Sequence, residues 1–377
     1  MLLQCPAPIM VDSADKLALA AADWQKARVL ALDTEFVRTD TFYPRLGLLQ
    51  LSDDEKCWLV DPLQGLDLEP VRQVLANPRI VKLLHACSED LEVLNLAFGE
   101  LPRPMVDTQV AAAFAGLGFS MGYHAMIKQL FQVELDKEET RSDWLQRPLT
   151  ERQCIYAAED VYYLFHAYHE IAVLLENKGL TPWLDEDMDL LVQETSTPAD
   201  PADYYRKLKA AWRLSPPQLR LLAMLCEWRE LEARRRDKPR GFIIKDDQLL
   251  NIASLIGNDQ GIEKIGLHTG FLKRYGSTLR KIMAECRQAS EQSPLPILPK
   301  PLGREFAPVI KQVKTKIDEI AEQNQLPKEL LAARRDIEQF VYHWIDCETP
   351  LARRYTQGWR KEVVATPVSK LIRESMQ

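Results

Sequence analysis

The first half of the chain switches repeatedly between short apolar runs and helical periods. Val29-Leu30-Ala31-Leu32 leads straight into Asp33 and predicts a strand, with Leu46–Leu51 and Cys57–Val60 as the next two. The connection Ser52-Asp53-Asp54-Glu55 is hairpin-sized, so these two strands are expected to be antiparallel neighbours. Leu68–Ala76 reads as a short helix and Ile80–Leu84 as a fourth strand. Ser88 stands at an N-cap position with Glu89 and Asp90 in the first turn of a helix running to about Phe98. A last short strand ends near Val106, and helical periods follow over Thr108–Phe114, Gly122–Phe131 and Thr150 to about Asn177. The expected architecture is a mixed α/β sheet with helices packed on it.

Beyond Thr195-Ser196-Thr197-Pro198-Ala199-Asp200-Pro201, which reads as a linker, strand signals vanish. Leu219–Arg235, Gln248–Ile256 and Thr278–Arg287 have helical periods. Ser293–Pro301 carries four prolines in nine residues and marks a second boundary, after which Pro308–Gln323 and Lys328–Asp346 are again helical. The expected division is 1–200, 205–292 and 300–377, an α/β domain followed by two small all-α modules.

The chemistry lies in carboxylates. Asp33-Thr34-Glu35 ends the first strand, and residues i and i+2 of a strand share a face, so both acids point one way. Asp90 falls in the first turn of the helix after the fourth strand. Tyr156 and Asp160 are i and i+4 on the long helix, so phenol and carboxylate share a face, and the small Ala157 and Ala158 let that helix lie close to the sheet. Taken singly, each element is equally a solvated strand end, a helix-dipole complement or an ordinary amphipathic face. Together they can place four carboxylates around one point. Such a group without matching Lys or Arg is a hard-oxygen site for Mg²⁺ or Mn²⁺. Two such ions about 3.5–4 Å apart suit an in-line phosphoryl displacement.

The motif set resembles the tyrosine branch of the DEDD exonucleases, the ribonuclease D family in particular. The likeness extends through Leu32–Arg38, Leu48-Leu49-Gln50-Leu51, Asp107-Thr108-Gln109 and Ser142–Leu149, over about residues 29–165. The histidine branch of these enzymes has His five residues before the last Asp, where this chain has Ile155. The resemblance implies an RNase H-like fold, with Asp33, Glu35, Asp90 and Asp160 as ligands of two Mg²⁺ or Mn²⁺ ions and Tyr156 orienting the nucleophilic water. It implies 3′→5′ hydrolysis of RNA with a free 3′ end, tRNA precursors among the substrates, and no obligatory protein partner. Phe36 and Gln50 are placed to touch a terminal nucleotide by stacking or hydrogen bonding; His85 can help shape the site, but reads more readily as a satisfied structural histidine. His166 and His169 read as packing residues, and Cys87 and Cys154 as small fillers. Residues 211–290 resemble an HRDC module, and the part after Pro301 a divergent second copy; in the family these modules assist nucleic-acid binding. Two alternatives stay open: a DNA exonuclease with the same chemistry, or a nucleic-acid-binding module that has lost activity.

Composition adds an asymmetry. From Asp203 onward there are 32 Lys+Arg against 22 Asp+Glu, a balance of +10, whereas residues up to Asp200 carry −17. A basic back half fits a polyanion and an acidic front half fits divalent metal, though two independently soluble domains would show the same balance. Arg234-Arg235-Arg236-Asp237-Lys238-Pro239-Arg240 reads as a phosphate contact or as a solvated helix end. Removal of everything from about Pro201 onward is expected to leave a folded nuclease. Seven cysteines without a CxxC pair, no signal-peptide pattern at the start and no apolar run of membrane-spanning length point to a reducing cytoplasm.

Overall fold

A computed structural model describes residues 3–136, 138–256, 259–289, 298–346 and 349–376. The elements that build the sheet are β1 (Ile9–Val11), α1 (Ala14–Trp24), β2 (Val29–Val37), β3 (Arg45–Ser52), β4 (Cys57–Val60), α2 (Glu69–Ala76), β5 (Val81–Leu84), α3 (Ser88–Phe98) and β6 (Met105–Asp107). The helices α4 (Thr108–Ala115), α5 (Tyr123–Phe131), α6 (Glu151–Lys178) and α7 (Thr181–Ser196) follow. The strands form one mixed sheet in the order β1-β4-β3-β2-β5-β6. β2–β3 and β3–β4 are antiparallel, whereas β1–β4, β2–β5 and β5–β6 are parallel. The predicted hairpin between β3 and β4 is present, and β2 lies inside the sheet with a neighbour on each side.

The long helix α6 packs across β2, β3 and β4. Its start is fixed by a capping box: Gln153 N–H donates to Thr150 Oγ1 at 3.2 Å, and Thr150 N–H donates to Gln153 Oε1 at 2.9 Å. Ala157 and Ala158 are fully buried, so no bulk holds the helix away from the strands. The start of α3 differs from expectation. Cys87, not Ser88, occupies the N-cap, and no side chain caps the helix. The carboxylate of Asp107 accepts the Ala86 and Cys87 N–H groups at 3.0 and 3.1 Å instead, so a tertiary partner has replaced the local cap.

The chain packs as two compact bodies: residues 1–37, 45–197 and 302–377 form one, residues 38–44 and 198–301 the other. The second body contains α8 (Pro216–Arg236), α9 (Arg240–Ile243), α10 (Asp246–Ser254) and α11 (Thr269–Ala289) around a core of Leu219, Leu222, Leu225, Leu249, Ile252 and Leu279. The helices after Leu302 are α12 (Ala307–Asn324), α13 (Lys328–Leu331), α14 (Arg334–Ile345), α15 (Gly358–Arg360) and α16 (Thr366–Met376). Expected as one helix, Lys328–Asp346 is two, because Ala332 turns extended and is buried together with Leu330 and Leu331. Residues 293–297 of the proline-rich boundary lie outside the described residues.

The expectation that residues from about Pro201 onward can be removed is corrected by where α12–α16 lie. Val313, Ile317, Phe340 and Trp359 belong to the same core as Leu94 and Phe114. Trp359 stacks on Trp183 with ring centroids 4.5 Å apart and planes within 4°, and its indole N–H donates to Asp187 at 3.0 Å. Arg360 pairs with the same carboxylate. That cut would strip the apolar cover from α4 and α7. Among the described residues, no helix is long and apolar enough to cross a membrane.

Candidate active site

Three of the four acids converge. Asp33 and Glu35 share one face of β2, and Asp160 approaches from α6; each offers a carboxylate oxygen within 4.8 Å of the others. A register shift between Glu35 and Phe36 interrupts the β2–β3 ladder here, and such a bulge re-aims the side chains beside it. Asp90, in the first turn of α3, lies outside that triad of oxygens and accepts the hydroxyl of Thr34 at 2.5 Å. Its charge still acts on Asp33 and Glu35.

Burial and neighbouring carboxylates shift all four carboxyls upward. Burial, then Asp90, Asp160 and Glu35, drives Asp33 well above the usual carboxylate range. Burial followed by Asp160 and Asp90 pushes Glu35 up to about 9. Burial lifts Asp160 to about 7 against a hydrogen bond from Tyr156 that pulls it down, and Asp90 to about 6 against the Thr34 bond. Among the described residues, no cationic side chain is among the influences on any of the four. A half-buried all-oxygen cluster with no cation of its own among the described residues matches the donor set of a hard divalent ion.

Tyr156 is held from two sides. Its hydroxyl bonds Asp160 one turn later, and its ring packs against Trp144 at a centroid distance of 6.1 Å. Trp144 is buried and braced by Arg147, whose guanidinium grips Asp61 at 2.7 Å and the Gly47 and Trp144 carbonyls at 2.5 and 2.9 Å. The Ser142–Leu149 motif is therefore a bracket for the phenol. Gly47 lies against that bracket so closely that an added Cβ would stand 2.5 Å from the Trp144 carbonyl oxygen.

The chain is similar to known proteins over nearly its full length. A family model described as 3′-5′ exonuclease matches residues 8–176, the HRDC domain matches 218–283, and the C-terminal HRDC domain of ribonuclease D matches 305–368. Ribonuclease D of Serratia proteamaculans is 40% identical over 354 residues, covering 93% of this chain and 94% of that one. Ribonuclease D of Escherichia coli is 37% identical over 98% of this chain and 99% of its own. The crystal structure of the Escherichia coli enzyme, described as an exoribonuclease involved in structured RNA processing, superposes with a TM-score of 0.87 over 97% of this chain and 99% of that one. The chain belongs to the ribonuclease D family. It is a 3′→5′ exoribonuclease of RNase H-like fold with HRDC domains behind it.

Of the expected nucleotide contacts, Phe36 is half-buried on β2 beside the bulge and keeps a partly open ring. Gln50 stands opposite Asp33 in the ladder and so shares its face; it is fully buried, and among the described residues both of its amide atoms lack a hydrogen-bond partner. His85 is engaged within the fold: Nδ1 lies 2.9 Å from the Thr108 hydroxyl and Nε2 3.1 Å from the Met121 carbonyl. Burial holds its pKa below the usual histidine value, so the neutral ring spends both nitrogens inside this family member's fold. Two participants escaped the sequence reading. Thr34 orients Asp90, and Tyr123, half-buried near Asp33 and Asp160, donates its hydroxyl to the Glu159 carbonyl at 2.7 Å and fastens α5 to the turn of α6 that carries Asp160. A hydroxyl between two acids was a usable signal for the first; the second is a long-range contact with none.

The raised carboxyls predict a pH-dependent stability. In metal-free protein, the folded state binds protons that the unfolded chain, with carboxyl pKa values near 4, releases. Their stabilising contribution is complete below about pH 4 and is lost as pH rises through about 6, 7 and 9. Chelated protein should therefore lose Tm steadily from pH 5 to 9, and Mg²⁺ or Mn²⁺ should restore more at pH 9 than at pH 6. Equal metal-induced increments at the two pH values in calorimetry would contradict this account of the site.

Proposed function

We propose that the chain trims RNA from a free 3′ end by two-metal hydrolysis, releasing 5′-mononucleotides one at a time, and acts in the cytoplasm. The observation that carries this reading is the convergence of Asp33, Glu35 and Asp160 into a half-buried oxygen cluster with Asp90 beside it and, among the described residues, no cationic side chain acting on it. Asp33, Glu35 and Asp160 would hold one Mg²⁺ or Mn²⁺, and Asp33 with Asp90 would hold the second. Two such ions, when bound, neutralise these acids and stabilise the attacking and leaving oxygens of a phosphodiester displacement. Tyr156 positions the water: its ring is fixed by Trp144, and its hydroxyl lies on Asp160. Phe36 stacks on the terminal base. The modules around 205–292 and 300–377 assist RNA binding, with the +10 balance of the chain from Asp203 onward as support.

The substrates we assign are tRNA precursors and other structured RNAs with short 3′ tails. The Escherichia coli relative, described by its role in structured RNA processing, supports that choice. End-labelled RNA and a DNA of matched sequence, each digested with Mg²⁺, with Mn²⁺ and with chelator, test the reading. RNA should shorten from its 3′ end to mononucleotides, only with metal, and DNA at least about tenfold more slowly, since 2′-hydroxyl contacts distinguish the two. Equal rates on DNA would point to a DNA exonuclease, and cleavage that persists in chelator would remove the metals from the reaction.

A further inference from the structure

The basic run 234–240 does something other than face solvent. Arg234 and Arg240 both pair with Glu230, which is 1% exposed, and Arg235 pairs with Glu232 at 2.7 Å. Lys238 donates to the carbonyl and carboxylate of Asp40 at 3.0 Å each. Asp237 accepts the main-chain N–H groups of Phe42 and Tyr43 on one oxygen, at 2.9 and 3.0 Å. The Phe42 ring is buried in the core of the second body with the Arg240 guanidinium 4.8 Å from its centre, and Arg240 also donates to the Tyr204 hydroxyl at 2.8 Å. Residues 38–44 thus fold as part of the helical module, although in sequence they are the connection between β2 and β3.

Asp237 is an unusual residue for its place. It closes α8 in the left-handed conformation with φ +49°, where glycine is the usual occupant. A carboxylate at a helix C-terminus also opposes the helix dipole. What a glycine cannot do there is accept two strap amides. The strap leaves β2 at Val37, two residues after Glu35 and directly beyond the register shift that sets the aim of Glu35 and Phe36.

We propose that Asp237 is a positioning residue for the exonuclease reaction: by clamping the 38–44 strap it fixes the C-terminal end of β2, and with it the Glu35 carboxylate and the Phe36 ring. The inference rests on the role assigned to Glu35 above. It gives the 38–44 strap a part in setting the reaction geometry. It also means that Arg234, Lys238 and Arg240 are engaged inside the protein.

The test uses the full-length protein with Mg²⁺, comparing single-turnover hydrolysis of an RNA 20-mer with that of an RNA dinucleotide too short to reach distant phosphate contacts. Asp237→Ala should slow both substrates by about tenfold, the scale of a misplaced reacting group, while the 20-mer Kd moves less than about threefold. Asp237→Asn keeps an acceptor oxygen and should recover most of the rate. Hydrogen exchange at the Phe42 and Tyr43 amides should quicken in the alanine variant and not in the asparagine one. A normal dinucleotide rate for Asp237→Ala, or a loss confined to 20-mer affinity, overturns the proposal. If Asp237→Ala fails to fold, Lys238→Ala at the rim of the strap carries the test: it should slow both substrates about two- to fivefold, and unchanged rates would refute the clamp. Inactive Glu35→Gln alongside unaffected Asp237→Ala would sink the strap alone, whereas active Glu35→Gln would sink the site assignment beneath it.

Discussion

Replacing Asp33 or Asp160 by asparagine should lower the single-turnover rate on RNA by about 10³-fold or more, while RNA affinity stays within a few-fold of the parent. Each substitution keeps the shape of the side chain and removes one negative donor from a cluster whose oxygens lie within 4.8 Å of one another. Binding should survive because polyanion affinity comes mostly from counterion release at cationic contacts, not from the acids. A second readout separates this from misfolding. The Asp33 carboxyl is driven up by burial and by three neighbouring acids, so in metal-free protein at pH 8 an amide there relieves repulsion and should raise Tm. Lost activity with gained metal-free stability is a trade-off expected of a functional site and not of a packing residue. Near-normal turnover of either variant in saturating Mg²⁺ would dismantle the metal assignment. A lowered Tm for Asp33→Asn would show that the carboxylate has a structural partner instead.

Local periodicity made the acids legible. The alternation of Asp33 and Glu35 and the i, i+4 spacing of Tyr156 and Asp160 both follow from strand and helix geometry, and each pair lies on one face in the structure. The small residues Ala157 and Ala158 foretold how near α6 comes to the sheet, and both are fully buried there. What escaped depends on partners far away in sequence. The three residues of β1 are too few to show an alternation, although they find β4 as a parallel neighbour. Register sets Gln50 opposite Asp33 and therefore on the same face, and its complete burial comes from packing that no local spacing announces. The polar surface of His85 is consumed by Thr108 and Met121, contacts that no spacing announces. The run of charge at 234–240 was plain. Its neutralisation was partly readable too, since Glu230–Arg234 and Glu232–Arg235 are helical neighbours, whereas the grip of Asp237 on residues 42 and 43 crosses nearly 200 positions. The union of α12–α16 with the sheet domain was hidden for the same reason: Trp183 and Trp359 meet only in the folded chain.

Tyr156→Phe should lower the single-turnover rate by about a hundredfold, the low end of what a positioned acid–base or water-holding group contributes, and should leave RNA affinity unchanged. The ring is what Trp144 and the Arg147 bracket hold, so phenylalanine should keep the packing and lose only the oxygen. That oxygen has two consequences. As the proposed holder of the water it orients the nucleophile, and its hydrogen bond holds the Asp160 carboxyl lower than burial alone would. Without it Asp160 retains its proton to higher pH, so protons compete better with metal and half-maximal activity should require more Mg²⁺ at pH 6.5 than in the parent. At pH 9 the two proteins should need similar Mg²⁺, since Asp160 is then ionised in both, but the rate deficit should remain. A purely structural tyrosine predicts something different: a rate within a few-fold of the parent and no pH-dependent change in metal requirement. A deficit that vanishes at pH 9 would assign Tyr156 to tuning Asp160 alone and leave the water to be held by another group. Persistence of the deficit at saturating metal and high pH is the signature that the phenol acts on the water itself.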